Sequence, residues 1–484
     1  MHVAPVLHVL SLAIMLFAGF MLVPLAVSIG FDDAAQRAHN MALLVTLGSG
    51  AALWVVTRKL TRELQVRDGF LLVALVWTVL PAFATLPLML YLPQLSFTDA
   101  YFETVSGFTT SGATVLSGLD QLPPSINVWR HFLVWLGGMG IIVLTVAILP
   151  LLGVGGSQIY RAETPGPMKD SKLTPRITET AKGLYIVYGG ITVACILGYR
   201  WAGMTWFDAF CHAFSTMGLG GFSTHDESFG YFNSVAIEAV AIFFMLVAGI
   251  NFGTHFLAWR QLSLRPYRVD PEAGLFLAVT IGSCLLIAGY LLGNRTYPDY
   301  LTALRYAAFN VVSIATTTGY ANTDFNLWPV FAPLWMLFLC SFCTCSGSTG
   351  GGIKMVRARI LFQQIFRELL RINHPKLYSP VKLSGQSIEN NVVFAVLVFA
   401  FVYMCSISLM TLALTASGLD VITAFSAVVA CINNAGPGLN QVGPATTFEI
   451  LTDFQTWVCT FAMLLGRLEM LTLLVVMTPA FWRK

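Results

Sequence analysis

The 484-residue chain is 56% hydrophobic and only 11% charged. Soluble globular proteins average about 25% charged residues, so a chain this poor in charge cannot cover a surface facing water. Composition therefore excludes a soluble domain and points to a bilayer. The formal net charge of +3 excludes little by itself, but the distribution of charge is informative.

About 20 consecutive apolar residues cross the hydrocarbon core as a helix. In chain order the candidate spans are 6–29, 41–57, 70–92, 128–152, 183–202, 233–258, 273–293, 327–343, 389–415 and 454–480. The first is apolar from His8 to Ile29, and Ala26-Val27-Ser28 loosely resembles a cleavage site. No Lys or Arg precedes it, so the basic region of a signal peptide is missing and a retained first helix is expected.

Twenty of the 27 Lys and Arg gather in alternate connections or at the chain's end. They are Arg58, Lys59, Arg62 and Arg67; Arg161, Lys169, Lys172, Arg176 and Lys182; Arg260, Arg265 and Arg268; Arg357, Arg359, Arg367, Arg371, Lys376 and Lys382; and Arg483 and Lys484. This is the positive-inside pattern, with both termini cytoplasmic. The clusters are never contiguous and alternate with spans, which argues against a nucleic-acid face. The opposite connections carry Asp32, Asp33, Asp99, Glu103, Asp120, Asp226, Glu227, Asp299, Asp324, Asp420, Glu449 and Asp453, so an acidic outer face is expected.

Nine cysteines lie mostly in apolar segments, as small buried hydrophobes do, and imply no disulfide framework. Cys340, Cys343 and Cys345 cluster without a nearby His, which favours packing beside a helix break over a zinc site.

Four outer connections share a register without gaps over fourteen positions. They are Asp99–Gly112, Asp208–Gly221, Tyr306–Gly319 and Thr423–Gly436. Ala recurs at the second position, Ser at the eighth (Ala430 in the fourth copy) and Gly at the fourteenth. Each copy is a short apolar stretch followed by a small polar run, between two spans. Segments of 10–14 apolar residues read as re-entrant pieces. Non-helical backbone at membrane depth is tolerated only where it is buried in protein or lines a water-filled path. A short helix entering from outside turns its negative dipole end inward, and carbonyls beyond it can replace the water shell of a cation. The predicted fold is an all-α polytopic membrane protein with two N-terminal helices and four pseudo-symmetric helix–pore-loop–helix units around a central pore. The division is 1–68 for the helix pair, then 69–160, 161–268, 269–382 and 383–484 for the units.

Between residues 344 and 353 the second helix of the third unit is interrupted by a run holding Gly347, Gly350, Gly351 and Gly352, each costing about 1 kcal/mol in a helix. A phosphate-binding loop is excluded: Gly352-Ile353-Lys354-Met355 lacks the Gly-Lys-Ser/Thr ending and no strand precedes it. Arg467 stands in the last span, where a charge is expensive. Glu469, two residues on, cannot share its helix face. His212 and His225 lack the spacing of metal or nucleophile chemistry, and no catalytic constellation is present.

The segments Thr109-Thr110-Ser111-Gly112-Ala113, Gly220-Gly221-Phe222-Ser223-Thr224-His225, Thr316-Thr317-Thr318-Gly319-Tyr320 and Asn433-Asn434-Ala435-Gly436-Pro437 resemble those of the Trk/Ktr/HKT superfamily of cation transporters, and of its TrkH branch in particular. The resemblance spans nearly the whole chain. It implies a potassium filter at Thr110, Ser111, Gly112, Gly220, Gly221, Thr317, Thr318, Gly319, Asn434, Ala435 and Gly436. Potassium is favoured because Gly112 stands where serine marks sodium-preferring members. The second copy, Met217-Gly-Leu-Gly-Gly221, departs from the pattern, which leaves its filter carbonyls less defined. The resemblance also implies an intramembrane gating loop at 344–353 with Gly347, Gly350, Gly351, Gly352, Lys354 and Arg467 in the gate. It further implies a homodimer in the bacterial inner membrane and a cytosolic ring of nucleotide-binding RCK-type (TrkA-like) subunits. Potassium is then the transported ion, with no organic cofactor, and the basic clusters meet lipid or the partner ring. A sodium- or proton-coupled symporter and the permease subunit of an ATP-driven pump are the alternatives. The first lacks a visible chain of buried carboxylates, and the second leaves the repeat unexplained.

Overall fold

The computed structural model describes residues 3–59, 65–143, 177–376, 379–383 and 385–483. Arg62, Arg161, Lys169, Lys172, Arg176, Lys484 and the end of the 128–152 span lie outside the described residues. Among the described residues the chain is almost wholly helical; its strands are the two short antiparallel segments Lys382–Leu383 and Gln386–Ser387.

Among the described residues six helices are long and apolar enough to cross a membrane: Ala4–Phe31, Gln36–Thr57, Arg67–Tyr91, Ala181–Ala202, Ala273–Gly293 and Asn390–Ala416. The shortest has 21 residues, about 31 Å at 1.5 Å per residue, which matches the hydrocarbon core. The first two pack along each other as an added pair. Pro124–Val143 follows the first re-entrant segment.

Three expected spans are not continuous helices. The 233–258 span breaks into Val235–Ala248 and Phe252–Gln261 at an angle of 93°. The 454–480 span breaks into Asp453–Arg467 and Leu471–Met477 at 116°. The 327–343 span shortens to the ten-residue helix Phe331–Cys340, and helix resumes only at Met355. The first break exposes the Gly249 carbonyl to the Cys345 N–H at 3.1 Å, and beside the second a Cβ on Gly466 would overlap the Ile432 carbonyl; apolar composition carries no mark of such contacts.

Helix Val66–Tyr91 contains Pro81 and Pro87. Proline removes the ladder hydrogen bond one turn back, and a freed carbonyl in a bilayer must find another donor. The carbonyls freed are those of Trp77 and Phe83, and side chains of the next two elements donate to other carbonyls of the same loosened stretch. Tyr101 Oη reaches the Thr78 carbonyl at 2.9 Å, Thr104 Oγ1 the Pro81 carbonyl at 2.9 Å, and Trp129 Nε1 the Ala84 carbonyl at 3.0 Å. The loosened helix is thereby tied to the first re-entrant helix and to Pro124–Val143.

Four short helices enter between spans: Phe97–Phe108, Trp206–Gly218, Tyr300–Ala315 and Val421–Ile432. Each starts on a side-chain cap. Ser96, Thr205, Asp299 and Asp420 accept from the backbone N–H groups of Asp99, Asp208, Thr302 and Thr423, contacts worth about 1 kcal/mol each. Ser96, Thr205 and Asp420 each stand three residues before the fourteen-position register and Asp299 seven, so the third helix starts one turn earlier than the others.

Candidate ion-conducting site

The four short helices end in the same way, position by position. At the twelfth position of the register Thr110, Leu219, Thr317 and Asn434 have φ of 58°, 55°, 60° and 53°. The N–H at the twelfth position donates to the ninth carbonyl, and that at the thirteenth to the eighth. The latter bonds are Ser111 to Ser106 at 2.8 Å, Gly220 to Ser215 at 3.0 Å, Thr318 to Ser313 at 2.8 Å and Ala435 to Ala430 at 2.9 Å. This double bond pattern is the left-handed Schellman ending. Left-handed backbone costs a non-glycine residue roughly 1–2 kcal/mol, and it recurs here at four non-glycine positions. Surrounding structure imposes the same turn on Thr, Leu, Thr and Asn alike.

The segments leaving these turns close into a ring. A Cβ on Gly112 would lie 2.5 Å from the Gly221 nitrogen. One on Gly221 would lie 2.5 Å from the Thr318 carbonyl oxygen, one on Gly319 2.5 Å from that of Ala435, and one on Gly436 3.1 Å from that of Ser111. Each fourteenth-position glycine therefore abuts the next segment in chain order, and the fourth abuts the first. Gly112, Gly319 and Gly436 also hold positive φ, whereas Gly221 does not. Instead Phe222 N–H turns back to the Gly220 carbonyl at 2.7 Å. The second segment thus follows its own backbone path, as its departure from the sequence pattern foreshadows.

Above the ring is a cavity of about 220 Å³, whose lining includes Gly112, Gly221, Gly319 and Gly436. His225 and Asp226 also border it. Asp226 accepts from the N–H groups of Gly118 and Leu119, both at 3.0 Å, which joins the outer loops of the first two units. His225 Nδ1 bonds Asp120, its Nε2 lies 3.3 Å from Asp208 Oδ1, and its ring stacks on Tyr231. Burial opposes the charged ring, but the Asp208 and Asp120 carboxylates beside it outweigh that cost and raise its pKa above the ordinary histidine value. Glu103 is not part of the acidic mouth expected from the sequence. It is 1% exposed and paired with the equally buried Arg130, because an inward-facing position on the first short helix has an arginine opposite it.

Below the ring the stretch between Cys340 and Met355 runs across the helix ends. Gly351 N–H donates to Thr317 Oγ1 at 2.9 Å, and Thr349 Oγ1 donates to the Met217 carbonyl at 2.9 Å. A Cβ on Gly351 would overlap the Asn433 carbonyl. This stretch so meets the second, third and fourth units. Arg467 connects it to the first, donating from Nη1 to the Thr349 carbonyl and from Nη2 to the Gly137 carbonyl at 3.3 Å. Lys354 Nζ donates to the Gly350 carbonyl, and Gly347 accepts from Phe252 N–H at 3.1 Å. Gly352, at φ 82°, completes the return. Arg467 is thus the last residue of its helix, at the break, rather than mid-span.

All eleven residues expected at the filter lie in the ring, and the six expected at the gate lie beneath it or beside its supports. Sequence reasoning missed Glu272, whose Oε1 accepts from the N–H groups of Ser346 at 3.1 Å and Val356 at 2.9 Å, tethering both ends of the crossing stretch. It also missed that Arg357 leaves the basic cluster of 357–382 to pair with Glu469 and cover the Phe399 ring. A carboxylate immediately before the 273–293 span was the available sequence signal for Glu272, which the fold buries.

Residues 36–484 match the TrkH family of cation transport proteins. A "Trk system potassium uptake protein TrkH" from Halomonas elongata is 47% identical, with 100% of each chain covered. The protein of the same description from Escherichia coli strain K12 is 44% identical, again over 100% of both. The crystal structure of the potassium transporter TrkH from Vibrio parahaemolyticus is similar with a TM-score of 0.92 and 42% identity, covering 100% of both chains.

Proposed function

Because the chain belongs to the TrkH family of cation transport proteins, we propose that it carries potassium inward across the bacterial inner membrane through one gated pore. The pore is built by units 69–160, 161–268, 269–382 and 383–484, with the helix pair of 1–68 outside them. The observation that carries the reading is the closed ring of four glycine-bearing segments at the C-terminal ends of four short helices. Helix dipoles favour a cation there, and carbonyls of positions twelve to fourteen are placed to exchange for its water shell.

The filter residues are Thr110, Ser111 and Gly112, Gly220 and Gly221, Thr317, Thr318 and Gly319, and Asn434, Ala435 and Gly436. The stretch 344–353 is the gate in its closed position, since it spans the ring's underside with Lys354 and Arg467 adding positive charge there. Uptake is driven by the membrane potential, worth about 2.3 kcal/mol per charge per 100 mV. Both termini face the cytoplasm, two copies associate, and a cytosolic nucleotide-binding ring of the RCK type sets the gate.

Rubidium uptake into proteoliposomes holding only this chain tests the proposal, with sodium and lithium as competitors. Uptake should follow the potassium gradient with no second ion and resist both competitors. A strict requirement for a sodium or proton gradient would favour coupled symport instead, and an ATP requirement would sink both readings.

A further inference from the structure

In every unit a side chain near the middle of the short helix reaches the chain leaving the ring. At the fifth position of the first unit, Glu103 accepts from Thr114 Oγ1 at 2.9 Å and from Val115 N–H at 3.0 Å. These are positions sixteen and seventeen. At the fifth position of the second unit, His212 Nε2 lies 3.0 Å from Ser223 Oγ, again position sixteen. His212 Nδ1 meets the Asp208 carbonyl, which only accepts, so in the neutral ring Nε2 accepts from the serine hydroxyl. At the fifth position of the third unit, Asn310 Nδ2 donates to Asn322 Oδ1 at 2.6 Å, position seventeen. The fourth unit has Ala427 at position five, and its neighbour Ser426 does the work instead. Ser426 Oγ accepts from Leu439 N–H at 2.8 Å and donates to the Leu439 carbonyl at 3.3 Å, position seventeen once more.

Of the nine residues involved all are buried except the half-buried Thr114, and the bracing residue types differ completely: carboxylate, imidazole, amide, hydroxyl. Shared placement with unshared chemistry argues against inheritance of one packing motif and for a demand on the distance between helix and outgoing leg. The first brace extends across a unit boundary. Arg130 Nε donates to Glu103 Oε1 at 2.8 Å, its Nη1 reaches the Ser223 carbonyl at 3.3 Å, and its guanidinium covers Phe222. One buried ion pair therefore holds the outgoing legs of two adjacent units.

We propose that these four braces are specificity-determining positioning contacts: by fixing how far each outgoing leg stands from its helix, they set the width of the glycine ring and so the preference for potassium over sodium. The inference rests on the filter reading above. None of the bracing side chains belongs to the eleven residues assigned to the filter, although Thr114, Ser223 and Arg130 border the cavity above it.

The test is the potassium-to-sodium flux ratio in proteoliposomes for Thr114→Val and Asn322→Ala, in two different units. Thr114→Val removes one hydroxyl at nearly constant volume, and Asn322→Ala is independent should the first not fold. The expected result is a fall of about fivefold in the ratio, the weight of one net hydrogen bond, with sodium flux rising. Adding Asn310→Ala to Asn322→Ala should lower it no further. An unchanged ratio in folded variants, or potassium and sodium fluxes falling together, would overturn the inference. Gly112→Ser separates the two levels: if it too leaves the ratio unchanged, the filter reading fails, whereas a change there alone defeats only the braces.

Discussion

Arg467 Nη1 stands 2.8 Å from the carbonyl oxygen of Thr349, and both groups are buried beneath the ring. Among the described residues no carboxylate forms an ion pair with this guanidinium; it donates to backbone carbonyls of the crossing stretch and of Gly137, with Nε left over. An arginine placed so holds a loop, because hydrogen bonds from a charged donor contribute roughly 1.5–3 kcal/mol. Arg467→Ala should raise basal rubidium efflux on the order of tenfold, since about 1.4 kcal/mol shifts a two-state equilibrium by that factor. Arg467→Lys should fall between, because an ammonium cannot span Thr349 and Gly137 at once. Efflux equal to the parent's in Arg467→Ala would remove the arginine from the gate.

Gly112 combines φ of 79° with a neighbouring backbone too near for any Cβ. A side chain there must take on left-handed backbone, at roughly 1–2 kcal/mol, and push the second segment outward. Gly112→Ser should therefore widen the ring and lower the potassium-to-sodium flux ratio by about tenfold or more. Competition by sodium against rubidium uptake measures it, and a variant as selective as the parent would contradict the tight approach.

Gly466 and Gly289 offer a controlled comparison. A Cβ at Gly466 would overlap the Ile432 carbonyl, whereas nothing lies within 4 Å of one at Gly289. Overpacking a close backbone approach costs about 1–3 kcal/mol, while Gly to Ala in an open helix gains up to about 1 kcal/mol. Thermal unfolding in detergent should show Gly466→Ala well below the parent and Gly289→Ala level with it or above. Equal melting temperatures would mean that the helix and the re-entrant segment are not in contact.

The parts of this architecture legible in the sequence are those that depend on residue type. Glycine at position fourteen is demanded by backbone contact, so Gly112, Gly221, Gly319 and Gly436 announce the register. Position twelve is equally constrained in conformation, yet Thr110, Leu219, Thr317 and Asn434 share no side-chain property, so the turn is visible only in the folded chain. The braces are hidden for the same reason: a Glu, a His, an Asn and a Ser perform one task. Breaks at 249–251 and 468–470 escape notice because the flanking helices are apolar enough to read as one span. Glu103 reads as a mouth residue until Arg130, 27 positions away, is seen to neutralise it.

The outer clasp titrates. Asp120 and Asp208 face His225, His212 lies near enough to act on it electrostatically, and Asp226 is tied to Asp120 through its own N–H at 3.2 Å. With a folded pKa above the ordinary value of about 6.5, the protonated ring contributes stability that is fully present below that value. The contribution is lost as pH rises through the raised one. Asp120 runs the other way: burial opposes its charge, but the bond to His225 and the Asp226 N–H prevail and lower its pKa, so its share is lost only as pH falls through that depressed value. The clasp is therefore strongest in mildly acidic solution. The melting temperature of the parent should decline from about pH 6 towards alkaline pH, and His225→Gln, which keeps a donor but carries no charge, should flatten that decline. Identical slopes for the two proteins would show that the ring is not charged in the folded state.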